Sequence, residues 1–140
     1  MREIIGVSAC LLGINCKYNG KNNLNQKVVE YIKGKEVCLF CPEVFGGLTT
    51  PRIPCEIQND GRVINQEGLD VTENFNKGKK LTLDLLKKNN CKKVILKDGS
   101  PSCGYHIIYN GNFTNKSITG QGITTKYLIE NKIDIIDLKT

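Results

Sequence analysis

Four short apolar runs recur along the chain, separated by longer and more polar segments. Each run is rich in β-branched or aromatic side chains, a composition typical of buried strands. The predicted strands are residues 3–8, 36–40, 93–96 and 133–138. The first run is apolar at successive positions, so we expect it to lie in the middle of a sheet, buried on both faces.

The intervening segments have helical periodicity. Apolar side chains recur there three or four residues apart, as they do on one face of a helix. The predicted helices are residues 24–34, 70–90 and 120–131, and Thr72 is the predicted N-cap of the second. Strands that alternate with helices predict an α/β fold: a mostly parallel four-stranded sheet flanked by helices.

Two further segments predict small hairpins at the periphery of this sheet. Residues 56–58 and 62–65 flank an Asp-Gly turn, and residues 106–109 and 112–114 flank Asn-Gly. Both dipeptides favour the tight turns that join antiparallel strands. We expect one domain over residues 1–140, because this length suits a single core and no linker interrupts the pattern.

Composition narrows the class of protein. Hydrophobic residues make up 39% of the chain and charged residues 24%, as in ordinary soluble proteins. The beginning of the chain has no apolar segment of the kind that forms a signal peptide, and no run reaches the ~20 apolar residues that span a membrane. We therefore expect a cytoplasmic protein with no membrane partner.

The net charge of +6 comes mainly from lysines that are scattered along the chain. Such a charge permits a nucleic-acid partner. It does not require one, because scattered lysines are typical of solvated helix faces. The pattern does not indicate an oligomeric state.

Seven cysteines are unusual in a reducing compartment. Their number is odd and their spacing irregular, which argues against a disulfide framework. Three of them, Cys10, Cys41 and Cys103, follow the first three predicted strands. The carboxyl ends of parallel strands share one edge of a sheet, and ligands bind there in open α/β folds, so we expect these three thiols to meet.

Three converging thiolates suit a metal that takes soft ligands, either zinc or an iron–sulfur cluster. For zinc, Cys16 or Cys38 is a candidate fourth ligand. His106, the only histidine, is more typical of hairpin packing than of a metal ligand. Cys55 and Cys91 are interpreted as small buried side chains.

Polar side chains accompany the three cysteines and indicate more than a structural metal. Glu43 follows Cys41-Pro42 directly and is a candidate general acid or base. The side chains that we expect to contact a substrate at the same edge are Ser8, Arg52 and Ser102.

Two alternative functions remain open at this point. Cys38 and Cys41 form a C-x-x-C pair, which is a feature of thiol oxidoreductases. Cys38 lies within a predicted strand, however, whereas thioredoxin-like motifs begin where the strand ends. The second alternative is a non-catalytic module in which zinc or a cluster stabilises a surface that binds RNA or a protein.

Several short motifs, taken in order, resemble one family. They are residues 7–13 (VSACLLG), 41–43 (CPE), 46–48 (GGL), 51–52 (PR), 100–104 (SPSCG) and 120–124 (GQGIT). Together they resemble a small bacterial family once described as a domain of unknown function, whose characterised members are 2-thiouracil desulfurases. The resemblance extends over nearly the whole chain.

The resemblance implies a [4Fe–4S] cluster that three cysteines hold, with one iron left open. Cys10 and Cys103 correspond to two of these ligands. Cys41 is the best match to the third, with Cys16 and Cys38 as alternatives.

The implied reaction removes sulfur from a thiolated pyrimidine base, nucleoside or nucleotide and gives the oxo base and sulfide. The open iron acts as a Lewis acid. Glu43 corresponds to the acid of the family motif and activates water or moves its proton, and Ser100 corresponds to its active-site serine. No net electron transfer is required.

Overall fold

A parallel four-stranded sheet forms the centre of the computed structural model, which describes residues 3–140. The strands are β1 (Ile4–Ser8), β2 (Glu36–Phe40), β3 (Cys55–Ile57), β4 (Val63–Asn65), β5 (Lys93–Ile95), β6 (Ile107–Tyr109), β7 (Ser117–Thr119) and β8 (Asp134–Ile135). The sheet has the order β2–β1–β5–β8, and each neighbouring pair is parallel. The predicted α/β fold is confirmed, and β1 is central as expected.

Helices cover both faces of the sheet. They are α1 (Gln26–Tyr31), α2 (Pro42–Phe45), α3 (Thr72–Lys88) and α4 (Ile123–Glu130), and a 3₁₀ turn, Ala9–Leu12, follows β1. On one face Leu86 of α3 and Leu128 of α4 belong to a buried cluster with Val94 of β5. On the other face Val28 of α1 packs in a second cluster with Ile5 of β1. The sheet is therefore buried on both sides, which explains why β1 is apolar from Ile4 to Val7.

The two hairpins lie outside this sheet, as predicted. β3 pairs antiparallel with β4, and β6 pairs antiparallel with β7. The prediction of residues 112–114 as the second strand of the β6 hairpin is wrong, because β7 begins at residue 117. The Asn110 N–H donates to the carbonyl of Lys116, so a long turn replaces the expected two-residue turn.

Side chains at the helix ends account for other differences from the predictions. The Asn25 side chain accepts from the N–H groups of Lys27 and Val28, so α1 begins at residue 26 rather than 24. Thr72 is not the N-cap of α3. Its N–H donates to Asp70 Oδ1 at 2.8 Å, while its own hydroxyl accepts from the Val63 N–H at 2.9 Å.

The last strand and one helix also differ from the predictions. The strand predicted over residues 133–138 is limited to Asp134–Ile135, and α2 was not predicted. Pro42 at the first position of α2 suits a helix start, because its missing N–H would have no helical partner there. Across residues 3–140, every helix falls short of the length and apolarity needed to cross a membrane.

Close packing holds α2 against α3. Gly78 of α3 is buried, and a Cβ atom at this position would overlap the carbonyl group of Pro42. Asn74 of α3 donates from Nδ2 to the Gly46 carbonyl at 2.9 Å, just after α2. These contacts fix the helix that carries Glu43.

We expect Gly78→Ala to lower the free energy of unfolding by about 2 kcal/mol, because the added methyl group overpacks the contact with Pro42. Helix propensity alone predicts the opposite, a gain of about 0.5–1 kcal/mol. Urea unfolding measures the difference. Lys80→Ala on the exposed side of the same helix is the control and should change stability little. A Gly78→Ala variant as stable as the wild type would contradict this packing.

Candidate functional site

A cavity of about 420 Å³ opens where β1, β2 and β5 end. The structure brings the three predicted cysteines together here, because Cys10, Cys41 and Cys103 all line this cavity. Cys10 lies in the 3₁₀ turn after β1, and Cys41 precedes the first residue of α2. Cys103 lies in the loop between β5 and β6. Three separate strand exits thus supply thiols to one space.

Neighbouring polar groups lie close to each of the three thiols. Asn23 donates from Nδ2 to Cys10 Sγ at 3.3 Å. The Cys41 thiol lies 3.9 Å from the carbonyl oxygen of Cys16. Cys103 is only 4% exposed, and the Ser102 hydroxyl lies 3.6 Å from its sulfur. The thiols of Cys10 and Cys41 are partly exposed.

The electrostatic environment differs among these thiols. Hydrogen bonding with the Cys16 thiol lowers the pKa of Cys10 and of Cys41 to about 7, although burial opposes this shift. The same two contacts raise the pKa of Cys16. Burial raises the pKa of Cys103 to about 12. The contact with Cys16 therefore favours the thiolate form of Cys10 or Cys41, which is the form that binds metals.

The other cysteines separate into two groups. Cys16 and Cys55 line the cavity, and for Cys55 this was not indicated by the sequence. Cys38 and Cys91 do not line it and lie together in the hydrophobic core between the sheet and α3. Of the two alternatives to Cys41, only Cys16 is therefore placed at the cavity.

The three cavity cysteines have the soft donor atoms that an iron–sulfur cluster takes. Among residues 3–140, no three His, Cys, Asp or Glu side chains are grouped so as to hold one metal ion. In a four-iron cluster each cysteine binds a different iron, so the sulfur atoms need not meet at one point. The cavity that these three thiols line, of about 420 Å³, is much larger than a single ion.

Arg52 holds the carboxylate of Glu43 beside the cysteines. Arg52 Nε donates to Glu43 Oε1 at 3.0 Å, and the two side chains are only 7% and 11% exposed, respectively. Its NH2 group donates to the Cys16 carbonyl at 2.9 Å, and its NH1 group donates to Thr49 and Thr50. These bonds occupy much of the guanidinium, so its clearest role is to position Glu43. A substrate contact by Arg52 stays a prediction.

A hydrogen-bonded chain runs from the serines to Glu43. The Ser102 hydroxyl donates to Glu43 Oε2 at 2.8 Å, and Ser100 Oγ lies 3.1 Å from Ser102 Oγ. Because Ser102 has one proton and gives it to Glu43, Ser100 is the donor in the second bond. Ser100 itself accepts from the Cys103 N–H at 2.7 Å. Sequence analysis identified all three polar side chains but not their order.

Asp98 holds the loop that carries Ser100 and Cys103. One of its oxygens, Oδ1, accepts hydrogen bonds at 2.8–3.2 Å from four backbone N–H groups, those of Gly99, Tyr105, His106 and Ile107. Burial acts in the opposite direction, but these bonds lower the pKa of Asp98. Sequence analysis missed this role because the only local signal was an Asp-Gly turn.

Two other residues occupy defined positions. Ser8 lines the cavity, and its hydroxyl accepts from the Lys97 N–H at 3.1 Å. Its predicted substrate contact is not tested by this bond. His106 lies outside the cavity lining, and its Nε2 is 2.8 Å from Asp137 Oδ2 at the surface. The structure therefore agrees with a packing or surface role for His106.

The fold and the site define an α/β protein with a thiol-lined ligand cavity at the carboxyl edge of its sheet. The model of the 2-thiouracil desulfurase family matches residues 5–139. The chain belongs to the 2-thiouracil desulfurase family. The resemblance seen in its motifs is thereby confirmed.

Two similar proteins span nearly the same length. An uncharacterized protein of Bacillus subtilis (strain 168), YbbK, is 41% identical over 134 residues, which is 89% of each chain. The solved structure of a [4Fe-4S]-dependent thiouracil desulfidase, TudS (DUF523Vcz), is 42% identical and superposes with a TM-score of 0.87. The superposition covers 96% of this chain and 90% of the chain of the solved structure.

In the cluster-free protein we expect alkylation to distinguish the thiols by pH. The rate at Cys10 and Cys41 should rise steeply as the pH passes about 7, because their pKa values lie there and the thiolate is the nucleophile. Cys103 should stay unmodified, because it is buried and its pKa is about 12. Peptide mapping after brief iodoacetamide treatment between pH ~5.5 and ~9 measures this.

Cys55 is the internal control, since it lines the same cavity but burial raises its pKa to about 11. It should react more slowly than Cys10 throughout this range. Equal labelling of Cys103 and Cys10 at neutral pH would contradict the assigned environments.

Proposed function

We propose that the protein is a [4Fe–4S]-dependent desulfidase that removes sulfur from a thiolated pyrimidine such as 2-thiouracil. Family membership and the likeness to a solved thiouracil desulfidase support this reaction class. The observation that carries the proposal is the chain Ser100–Ser102–Glu43, which lies beside three cavity cysteines. A carboxylate that is hydrogen-bonded to two serines beside three thiols supports the proposed reaction.

In this proposal Cys10, Cys41 and Cys103 hold the cluster. All three line the cavity, and each follows one of three adjacent strands: Cys10 follows β1, Cys41 follows β2 and Cys103 follows β5. When bound, the cluster supplies a Lewis-acidic iron without a protein ligand, which polarises the carbon–sulfur bond of the substrate. Cys16 is a further thiol in the cavity and is not needed for three-cysteine ligation.

Glu43 acts as the general base. Water that attacks the thiocarbonyl carbon loses a proton, and the hydrogen bonds among Ser100, Ser102 and Glu43 lead that proton to the carboxylate. Oxygen from water replaces sulfur on the carbon, and sulfur leaves as hydrogen sulfide with both protons of that water, one of them returned from Glu43. The carbon keeps its oxidation state, so the reaction needs no oxidant or reductant.

Arg52 and Asp98 position this machinery. The Arg52 guanidinium fixes Oε1 of Glu43 and leaves Oε2 for the Ser102 hydroxyl. Asp98 holds the loop through four backbone N–H groups, so Ser100 and Cys103 keep their places relative to Glu43. Because these groups are already in place before the substrate binds, less free energy is needed to order them in the transition state.

Glu43→Gln should abolish most sulfide release while the cluster stays intact. The amide has nearly the same shape but cannot take a proton from water, so we expect kcat to fall by about 100-fold or more. Ser102→Ala, which interrupts the path to Glu43, should also lower kcat. Sulfide and uracil released from 2-thiouracil by anaerobically reconstituted protein are measured together with its iron content.

Glu36→Gln is the matched control, because Glu36 is exposed at the amino end of β2, opposite the cavity. It should leave turnover unchanged. Full turnover by Glu43→Gln, or no sulfide release by iron-loaded wild type, would contradict the proposed function. The second result would favour a non-catalytic binding module.

A further inference from the structure

The β6–β7 hairpin supplies a further wall of the cavity, beyond the residues that follow the strands of the sheet. Tyr109, Phe113 and Asn115 of this hairpin line the cavity. Phe113 and Asn115 have positive φ angles, 55° and 62°. A bulky aromatic residue adopts this conformation only rarely, so contacts from outside the turn must favour it.

Glu56 on β3 makes such contacts. Its Oε1 accepts from the Gly111 N–H at 2.8 Å and from the Phe113 N–H at 3.2 Å. Gln58 donates from Nε2 to the Gly111 carbonyl at 3.0 Å. Hydrogen bonds in which the acceptor is a carboxylate are stronger than neutral ones. Glu56 and Gln58, both in the β3–β4 hairpin, therefore fix the backbone of the β6–β7 hairpin.

Close packing supports the same attachment. Gly111 is buried with a φ of +91°, and a Cβ atom there would lie 2.8 Å from the Ile57 carbonyl oxygen. Only glycine accepts both the conformation and the approach. The turn over residues 110–116 is thus seated on β3, which itself contributes Cys55 and Glu56 to the cavity lining.

We propose that Glu56 is a positioning residue that fixes the 110–116 turn and so places Phe113 as the substrate-facing wall of the cavity. An aromatic side chain there suits a planar pyrimidine ring, on which it can stack. The substrate part rests on the proposed function. The hairpin supplies none of the three proposed cluster ligands, so loss of Glu56 should weaken substrate binding and leave the cluster in place.

The first test measures the turn itself in cluster-free protein. Amide hydrogen exchange of the peptide that covers residues 110–116 should become about 10-fold faster in Glu56→Ala, because two N–H groups lose their acceptor. Glu56→Gln keeps an acceptor oxygen without the charge and should show a smaller increase. It also serves as the conservative variant if the alanine variant folds poorly. Exposed Glu67→Gln is the control and should exchange like wild type.

The second test measures substrate affinity in iron-loaded protein. The KM for 2-thiouracil should rise about 10-fold in Glu56→Ala and less in Glu56→Gln. The kcat should stay within about twofold of the wild-type value, since Glu56 makes no contact with Ser100, Ser102 or Glu43. Iron content per chain should equal that of wild type and of Glu67→Gln.

The outcomes separate this inference from the proposed function. Unchanged exchange in the turn would overturn the attachment. Faster exchange with unchanged KM would overturn the substrate role, and loss of iron would show that Glu56 acts on the cluster site instead. If iron-loaded wild type releases no sulfide, the proposed function fails. Equilibrium dialysis of 2-thiouracil then replaces KM, and equal affinity in wild type and Glu56→Ala would overturn the inference.

Discussion

The ion pair between Arg52 and Glu43 is the interaction on which the geometry of the site depends. Both side chains are almost buried, so truncation of either one to alanine would leave its partner unpaired at a cost of about 3–5 kcal/mol. The guanidinium also binds the Cys16 carbonyl, and the carboxylate also binds Ser102. This contact therefore connects the loops that follow β1, β2 and β5. A shift of any one loop would disturb the other two.

The parallel sheet makes this connection possible. Because β2, β1 and β5 are neighbours and run in the same direction, their exits lie side by side at one edge. Residues far apart in sequence thus meet without a short binding motif. Helices on both faces bury the sheet and leave its carboxyl edge as the place for a ligand. Dense packing of α2 on α3, through Gly78, keeps the Glu43 helix in place.

The sequence was sufficient for features with a strong local signal. Branched apolar runs identified the strands, and strand exits identified Cys10, Cys41 and Glu43. Features that depend on distant partners could not be predicted in this way. The Asn110-Gly111 pair favours a tight turn, but Glu56, which is 55 residues earlier in the chain than Gly111, stabilises a longer one. The Arg52 guanidinium likewise bonds to Cys16, 36 residues away. The four N–H donors to Asp98 are within nine residues of it, but they converge only in the folded loop.

We propose that the cavity cysteines, and not the core cysteines, hold the cluster. Iron and acid-labile sulfide measured in Cys41→Ser and Cys38→Ser after anaerobic reconstitution test this assignment. Both residues belong to β2 or directly follow it, but only Cys41 lines the cavity. We expect about four irons per chain in wild type and Cys38→Ser, and a strong loss in Cys41→Ser. Full iron content in Cys41→Ser, or stoichiometric zinc in place of iron in the wild type, would contradict it.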